Sequence, residues 1–204
     1  MDGHVVVTIC RQFGAEGHEI GKILSDRLGM ALYDKDILGK AAESAGVEKG
    51  HFRRADEQVV SRFFEPYLLL SMGTVTRNDR LFEAEEQIIR DVAAAGSCVI
   101  VGRLSDYLLR KDPNTIKVFV FASMNFRVEN IRKKYEISET AAKKLVRQMD
   151  EMRRSYYACY SGGNWRQDTG KDLTLDRETF GIGGCTDILE AAVRVKFAAQ
   201  KGEC

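Results

Sequence analysis

The feature that most restricts the fold of this chain is an alternation of short apolar runs with stretches of helical periodicity. The first run, residues 4–10, is rich in β-branched residues and leads into a glycine-containing turn and then a helical pattern. A continuous apolar run of this length is typical of a strand buried on both faces of a parallel sheet. Four later runs repeat the pattern, at residues 31–33, 97–101, 116–121 and 172–176. The sequence therefore predicts an α/β fold with a five-stranded parallel sheet and helices on both faces.

The segments between these runs predict the helices. Helical spacing of apolar residues extends over residues 18–28, 81–95, 104–110 and 186–199, and Asp34 and Asp36 are placed to cap a further helix that runs to about residue 45. Gly29 and Gly96 are expected to end the first two helices, and a loop containing Gly181 is expected before the last one. Two regions are less regular: residues 47–78 predict a mobile helical insertion, and residues 125–160 predict a strongly charged helical region.

Length, charge and cysteine content narrow the functional classes. A chain of 204 residues is expected to form a single domain, residues 1–204. Its 31 lysines and arginines balance 30 acidic residues, so any anionic ligand must be held by a local site. Five widely spaced cysteines without a CxxC pair favour reduced thiols over disulfides or a zinc site. No apolar run approaches the roughly 20 residues of a membrane helix. We therefore expect a cytoplasmic protein with small-molecule ligands and no nucleic-acid or membrane partner.

Parallel sheets of this kind bind ligands at the carboxyl ends of their strands. The residues that follow the strands are 11–18, Asp34, Gly102 with Arg103, Ser123 and Arg177. The turn at residues 14–17 is the best candidate, because backbone N–H groups at the start of the next helix favour an anion such as phosphate. The same turn serves many folds as a plain connector. It also lacks the G-x-x-x-x-G-K-[ST] motif, since the spacing to Lys22 is one residue too short.

Several motifs occur in an order that resembles a known family. They are residues 8–21 (TICRQFGAEGHEIG), 33–37 (YDKDI), 99–103 (VIVGR), 106–108 (DYL), and Asp150-x-x-Arg153 followed by Tyr156 and Tyr157. Together they resemble the cytidylate-kinase-like family over nearly the whole chain. The resemblance implies the three-layer P-loop NTPase fold of nucleoside monophosphate kinases. It also implies an acceptor-binding insertion at residues 47–78, a lid within residues 125–160, and ATP and Mg²⁺ as cofactors.

On the donor side, the resemblance implies that Gly14 and Gly17, with the amide of Ala15, cradle the phosphates of ATP. The usual P-loop lysine falls on Gly17 and its Mg²⁺-binding hydroxyl falls on His18, which is therefore expected to contact phosphate instead. Glu16 and His18 depart even from the divergent family, where glycine and arginine are common. A carboxylate repels a triphosphate, so Glu16 must point away, bind through Mg²⁺, or weaken nucleotide binding.

On the acceptor side, the resemblance implies that Arg103 binds the monophosphate, since a guanidinium can donate two hydrogen bonds to it. Asp34 would lie near the acceptor nucleoside. Asp150 and Arg153 would form the lid pair, in which the arginine neutralises the transferring group and the aspartate holds the arginine or the base. The alternatives from the residues alone are a helix cap for Asp34, a strand-end surface residue for Arg103 and an ordinary i, i+3 pair for Asp150 and Arg153.

Phosphoryl transfer depends on positioning and charge neutralisation, so Arg11, His18 or a lid arginine could replace the missing lysine. We therefore expect a kinase that transfers the γ-phosphoryl group of ATP to a nucleoside monophosphate such as CMP. Two alternatives stay open: a catalytically impaired nucleotide-binding or sensor protein on the same scaffold, and a kinase for another small acceptor. The sequence identifies no metal-binding residues and leaves the oligomeric state open, a homodimer included.

Overall fold

The computed structural model describes residues 4–34, 75–163, 165 and 170–201, and it contains the five-stranded sheet that the sequence predicts. The strands are β1 (Val6–Arg11), β2 (Ala31–Tyr33), β3 (Cys98–Val101), β4 (Thr115–Phe121) and β5 (Leu173–Asp176). All neighbouring strands are parallel, in the order β2-β3-β1-β4-β5. Because β1 is central, the turn that follows it lies between the carboxyl ends of β3 and β4.

Six helices belong to the described part of the chain. They are α1 (Gly17–Leu28), α2 (Val75–Ala95), α3 (Ser105–Leu108), α4 (Met124–Tyr135), α5 (Glu139–Ser161) and α6 (Arg177–Lys201). Helix α1 ends as the sequence predicts, at Gly29, which adopts a left-handed φ of 62° and whose N–H donates to the carbonyl of Ser25. The charged region at residues 125–160 forms two helices, α4 and α5.

Two helix boundaries differ from the sequence-based expectations. Helix α2 begins at Val75, so the last residues of the expected insertion are helical, while residues 35–74, with the expected helix to residue 45, lie outside the described residues. Helix α6 begins at Arg177 instead of residue 186 and takes in the expected glycine loop, with a break at Gly181 (φ 69°). The early start has a local cause: the Asp176 carboxylate accepts hydrogen bonds from Glu178 N (3.0 Å) and Thr179 Oγ1 (2.9 Å), as a helix cap does.

Helices cover both faces of the sheet and make three layers. Helices α1 and α6 pack on one face, where Leu24 and Leu189 belong to the same apolar cluster as Val99. Helices α2, α3 and α5 pack on the other face, where Ile89 and Tyr156 belong to the same apolar cluster as β3 residues. Among the described residues no helix is both long and apolar enough to cross a membrane.

The cysteines of the described residues are free thiols. Cys10, Cys98 and Cys185 are buried, and Cys159 is exposed on α5. Burial raises the pKa of Cys98 to about 12, so this thiol stays protonated and behaves as a small apolar side chain. The expectation of reduced, mostly buried cysteines is confirmed for these four.

Candidate phosphate-binding turn and the arginine pairs around it

The turn between β1 and α1 requires glycine for two separate reasons. Gly14 has a φ of 82°, and a Cβ atom there would lie 2.8 Å from the carbonyl oxygen of Arg127. Gly17 has no conformational requirement, but a Cβ atom there would lie 2.7 Å from Cβ of Arg11. The turn is therefore packed closely on both sides. Helix α1 starts directly after the turn at the carboxyl end of the central strand, and the first N–H groups of a helix have no partner within the helix.

A buried arginine–aspartate pair braces the turn from beneath. Asp150 of α5 accepts hydrogen bonds from Phe13 N (2.8 Å) at one carboxylate oxygen and from Arg127 Nη1 (2.6 Å) at the other. Arg127 of α4 also donates to the carbonyl oxygens of Phe13 (3.1 Å) and Ala122 (3.1 Å). Asn130 Nδ2 completes the contact by donating to the carbonyl oxygen of Gly14 (3.1 Å). The pair thus links both charged helices to the turn backbone.

Asp150 does not form the lid pair with Arg153 that the resemblance implies. Asp150 is bonded to Arg127 and to the turn, and the structure gives it no bond to Arg153, one helical turn away. Arg153 instead donates to the carbonyl oxygen of Arg11 (2.8 Å), and its guanidinium carbon lies 5.5 Å from the ring centroid of Phe13. Both residues contact the turn, but each does so separately. Each carboxylate oxygen of Asp150 already accepts a hydrogen bond, one from Phe13 N and the other from Arg127.

Glu16 at the rim of the turn points towards a different arginine. It adopts a left-handed conformation (φ 55°) just before α1, and its Oε2 lies 2.6 Å from Nη2 of Arg177, the first residue of α6. The side chains are 31% and 15% exposed. The approach is not aligned as a hydrogen bond: both Glu16 Oε2 and Arg177 Nε are buried without a hydrogen-bond partner among the described residues. None of the three options expected for Glu16 named this arrangement, in which the carboxylate lies against the guanidinium of Arg177.

The structure brings two further candidates together at the start of α1. His18 Nδ1 lies 3.6 Å from Oδ2 of Asp34, the residue that follows β2. The His18 side chain is 43% exposed, and Asp34 is largely buried. The predicted donor-side and acceptor-side residues therefore adjoin each other. The His18 imidazole faces the carboxylate of Asp34.

The turn after β3 carries Arg103 in a second strained conformation. Gly102 has a φ of 80°, Arg103 has a φ of 55°, and the guanidinium of Arg11 lies directly against Gly102. Arg103 Nη2 lies 3.3 Å from Oε1 of Glu85, a residue of α2 that is only 2% exposed. The other carboxylate oxygen accepts a long hydrogen bond from the Tyr156 hydroxyl (3.5 Å). Burial raises the pKa of Glu85, while Arg103 and Tyr156 act in the opposite direction.

A third polar cluster lies below this turn and contains no exposed charge. Lys171 Nζ forms a close ion pair with Oδ2 of Asp106 in α3, which also accepts from the Tyr157 hydroxyl (3.3 Å). Trp165 Nε1 donates to the sulfur of Cys10 (2.9 Å). Burial, followed by the negative charge of Asp106, raises the pKa of Cys10 to about 12. The Cys10 thiol is therefore kept protonated, which argues for a packing role in place of nucleophilic chemistry.

Sequence reasoning did not single out Glu85 or Arg127. Glu85 had a detectable signal, because it lies three residues after Phe82 and four before Ile89, on the apolar face of α2. Arg127 belongs to the strongly charged region at residues 125–160, and the sequence offers no signal that it is buried. Tyr156 and Tyr157 pack in the apolar cluster beside α2.

The strand order and the glycine turn after β1 define an α/β protein of the P-loop kinase type. The sequence profile of the cytidylate kinase-like family matches residues 6–179, and the chain belongs to that family. A comparison with curated proteins finds no significant match.

Solved structures support the fold assignment. An uncharacterized protein from Eubacterium ventriosum is similar with 23% identity and a TM-score of 0.74, over 94% of this chain and 99% of that one. Shikimate kinase from Bacteroides thetaiotaomicron is similar with 13% identity and a TM-score of 0.54, over 94% and 99%. Shikimate kinase from Acinetobacter baumannii, in complex with shikimate, has 11% identity and a TM-score of 0.51, over 97% and 96%. At these identities the likeness establishes the fold alone.

Proposed function

We propose that the protein is a cytoplasmic kinase that transfers the γ-phosphoryl group of ATP to a nucleoside monophosphate such as CMP. The observation that carries the proposal is the braced glycine turn at the carboxyl end of the central strand in a member of the cytidylate kinase-like family. Phosphoryl transfer needs little covalent help from the protein, so positioned amides and cations account for most of the catalysis. The chain offers both around this one edge of the sheet.

On the donor side, the turn at residues 14–18 would receive the phosphates of ATP, with the Ala15 N–H already donating to the carbonyl oxygen of Gln12 (3.3 Å). The residues are Gly14, Ala15, Glu16, Gly17 and His18, with Arg11 at the end of β1. Asp150 and Arg127 hold this backbone rigid, so little reorganisation is needed when the anion arrives. Arg153 lies behind the turn and is the lid arginine of this proposal; lid closure would move it towards the transferring group.

On the acceptor side, Arg103 is the proposed ligand of the monophosphate. It follows β3 on the strand next to β1, and the guanidinium of Arg11 reaches the same turn. Asp34 lies one strand further out and adjoins the donor turn through His18, which suits a group that contacts the acceptor nucleoside. These placements support a donor phosphate at the carboxyl end of β1 and an acceptor at the carboxyl ends of β3 and β2.

In this proposal Mg²⁺ would be bound mainly by the phosphates of the nucleotide. Within the described residues no three His, Cys, Asp or Glu side chains are grouped to hold a metal ion. Mg²⁺ commonly keeps several waters and binds through one or two carboxylates together with substrate phosphates. Asp34 is the carboxylate beside the donor turn that could contribute. The ion would supply charge neutralisation between the transferring phosphates.

The direct test is a coupled assay of ADP release against a panel of nucleoside monophosphates with ATP and Mg²⁺. We expect turnover with at least one of them, and we expect Arg103→Ala to lose it by about 100-fold or more, as when a phosphate-neutralising group is removed. Arg110→Ala is the matched control, because Arg110 lies exposed just after α3, the short helix that follows Arg103, and packs on Tyr107. Absence of turnover with every acceptor, while ATP still binds, would remove the kinase proposal.

A second candidate is a catalytically impaired nucleotide-binding protein on the same scaffold. One observation favours it: Arg153, the proposed lid arginine, donates to a backbone carbonyl of the turn and so has a structural use of its own. This alternative predicts that ATP raises the melting temperature and that no acceptor is phosphorylated. A kinase for another small acceptor would instead show ADP release once the panel is extended beyond nucleotides.

A further inference from the structure

Arg177 occupies an unusual place for an arginine that no sequence motif assigns. It is the first residue of α6, directly after β5, and its guanidinium reaches across to the rim of the phosphate turn. There it lies 2.6 Å from the Glu16 carboxylate, next to Gly17, the position at which a P-loop lysine would stand. The side chain is 15% exposed, so a cation is held in a confined space at the turn.

The other arginines near the turn are already used. Arg127 is buried beneath it with Asp150. Arg153 donates to the carbonyl oxygen of Arg11 behind it, and Arg11 itself leans away towards Gly102. Arg177 differs from these three, because its Nε is buried without a hydrogen-bond partner among the described residues, a property that it shares with Nε of Arg103 in the turn after β3. The Nε donor of Arg177 is therefore not taken up by an acceptor within the described protein.

We propose that Arg177 binds the phosphate groups of the donor nucleotide, in place of the lysine that the turn lacks, and that Glu16 holds its guanidinium at the rim until nucleotide arrives. The inference rests on the proposed function, since it names the donor-phosphate cation of that same site. Glu16 then has a use in a phosphate site: it is the internal anion that a phosphate displaces.

The exchange of Glu16 for phosphate is physically favourable. The contact between Glu16 and Arg177 brings opposite charges together, but its N–H groups are not directed at the carboxylate oxygen. A phosphate can accept two aligned hydrogen bonds from one guanidinium. Replacement of a misaligned partner by an aligned one gains hydrogen bonds and does not leave the arginine uncompensated.

The backbone around Arg177 is fixed independently of Glu16. Asp176 caps the start of α6, and Glu178 Oε2 accepts from Ser123 N (3.2 Å), which ties this segment to the start of α4. The guanidinium carbon lies 5.1 Å from the ring centroid of Phe126. These contacts keep the arginine over the turn when Glu16 is released, so the cation does not depend on its carboxylate partner for its position.

The test is a set of binding titrations with ATP and with inorganic tripolyphosphate on four proteins: wild type, Arg177→Gln, Glu16→Gln and the double variant. We expect Arg177→Gln to weaken both ligands by about 10- to 100-fold. Glu16→Gln should bind both at least as tightly as the wild type, and the double variant should be as weak as Arg177→Gln. Arg177→Lys should retain part of the affinity because it keeps the charge.

Arg27→Gln is the matched control, because Arg27 also joins α1 to α6 through Asp187 but lies at the far end of α1. It should leave both affinities unchanged. Melting temperatures identify any variant that loses affinity by unfolding. If Arg177→Gln does not fold, the affinity of Arg177→Lys is compared with that of Glu16→Gln instead. Equal affinity in all folded variants overturns the inference.

Four outcomes contradict the proposal. A double variant with wild-type affinity would mean that Arg177 only cancels the charge of Glu16. A loss for ATP but not for tripolyphosphate would place Arg177 at the base or ribose. Unchanged binding in Arg177→Gln would overturn the inference alone, whereas a wild-type protein that binds neither ligand would overturn the proposed function with it.

Discussion

Two arginine–carboxylate pairs flank the same turn and differ in how completely they are hydrogen-bonded. Beneath the turn, Arg127 and Asp150 are both nearly inaccessible, and each carboxylate oxygen accepts a short hydrogen bond. At the rim, Arg177 and Glu16 approach to 2.6 Å but leave buried polar atoms without hydrogen bonds. A buried ion pair offsets its desolvation only when further hydrogen bonds satisfy the remaining polar atoms. The lower pair meets that condition and the rim pair does not.

This difference distinguishes a pair that supports the turn backbone from a pair that keeps hydrogen-bonding capacity for a ligand. The described hydrogen bonds of Arg127 and Asp150 go to each other and to the backbone around the turn, so this pair serves to fix the shape of the turn. An incompletely satisfied pair at a ligand-binding edge retains hydrogen-bonding capacity, and such atoms in a native structure call for an explanation. The pair of Glu85 with Arg103 falls in the second group, since Glu85 Oε1 is buried without a hydrogen bond and Arg103 is 3.3 Å away.

The largest expected effect comes from breaking the lower pair. Asp150→Ala leaves Arg127 buried without its counter-ion and Phe13 N without its acceptor. We expect the free energy of unfolding, measured by urea denaturation, to fall by about 3–5 kcal/mol. Nucleotide binding should weaken as well, because the turn loses its support.

Glu151→Ala is the control for this substitution, since Glu151 is the next residue and forms an exposed pair with Arg154. Its effect should stay within about 1 kcal/mol. If Asp150→Ala kept its stability and lost only turnover, the carboxylate would act on the substrate, as the lid resemblance implies, and the distinction between the two pairs would fail.

The fold could be predicted because its signals are local. The apolar run that forms β1 carries its own length and burial, and Gly29 ends α1 because glycine adopts the left-handed cap conformation without a steric cost. The alternation of such elements then limits the topology to a parallel sheet. The start of α6 was missed because Asp176 was counted as the end of a strand, and its second use as a helix cap depends on side-chain geometry.

The place of the candidate site in the fold could be predicted from the sequence, but the ion pairs and hydrogen bonds around it could not. The turn at residues 14–17 and the residues after β3 are local features, and the structure places both at one edge. The partner of Asp150 depended on how α4 and α5 pack on each other and on the turn. Spacing suggested Arg153, one turn away on the same helix, whereas the observed partner is Arg127 from another helix. Pairings across elements need the tertiary structure.

The next largest expected effect tests how tightly Arg127 packs against the turn at Gly14. Gly14→Ala adds a Cβ atom 2.8 Å from the Arg127 carbonyl oxygen and also forces alanine to a φ of 82°. The conformational cost of about 1–2 kcal/mol adds to a similar steric cost, so we expect a loss of about 2–4 kcal/mol in urea denaturation. Gly162→Ala shares the left-handed φ (63°) but meets open space, so it should lose only the conformational part. Equal losses would mean that the turn yields freely against Arg127.

The smallest expected effect is a pH dependence of the free energy of unfolding, caused by the pair of Glu85 and Arg103. The substitution Glu85→Gln keeps the shape of the carboxyl group and removes only its charge. Because burial raises the pKa of Glu85 above its ordinary value of 4.5, the stability that this group contributes is fully present below that value. It is lost as the pH rises through the raised pKa. Glu85→Gln cannot ionise, so its free energy of unfolding should exceed that of the wild type by a margin that grows from pH 4.5 upward. Glu86→Gln, at the exposed neighbour that pairs with Arg90, should show no such growth. Parallel pH curves for Glu85→Gln and the wild type would mean that Arg103 compensates the buried charge in full, and this pair would then belong with Arg127 and Asp150.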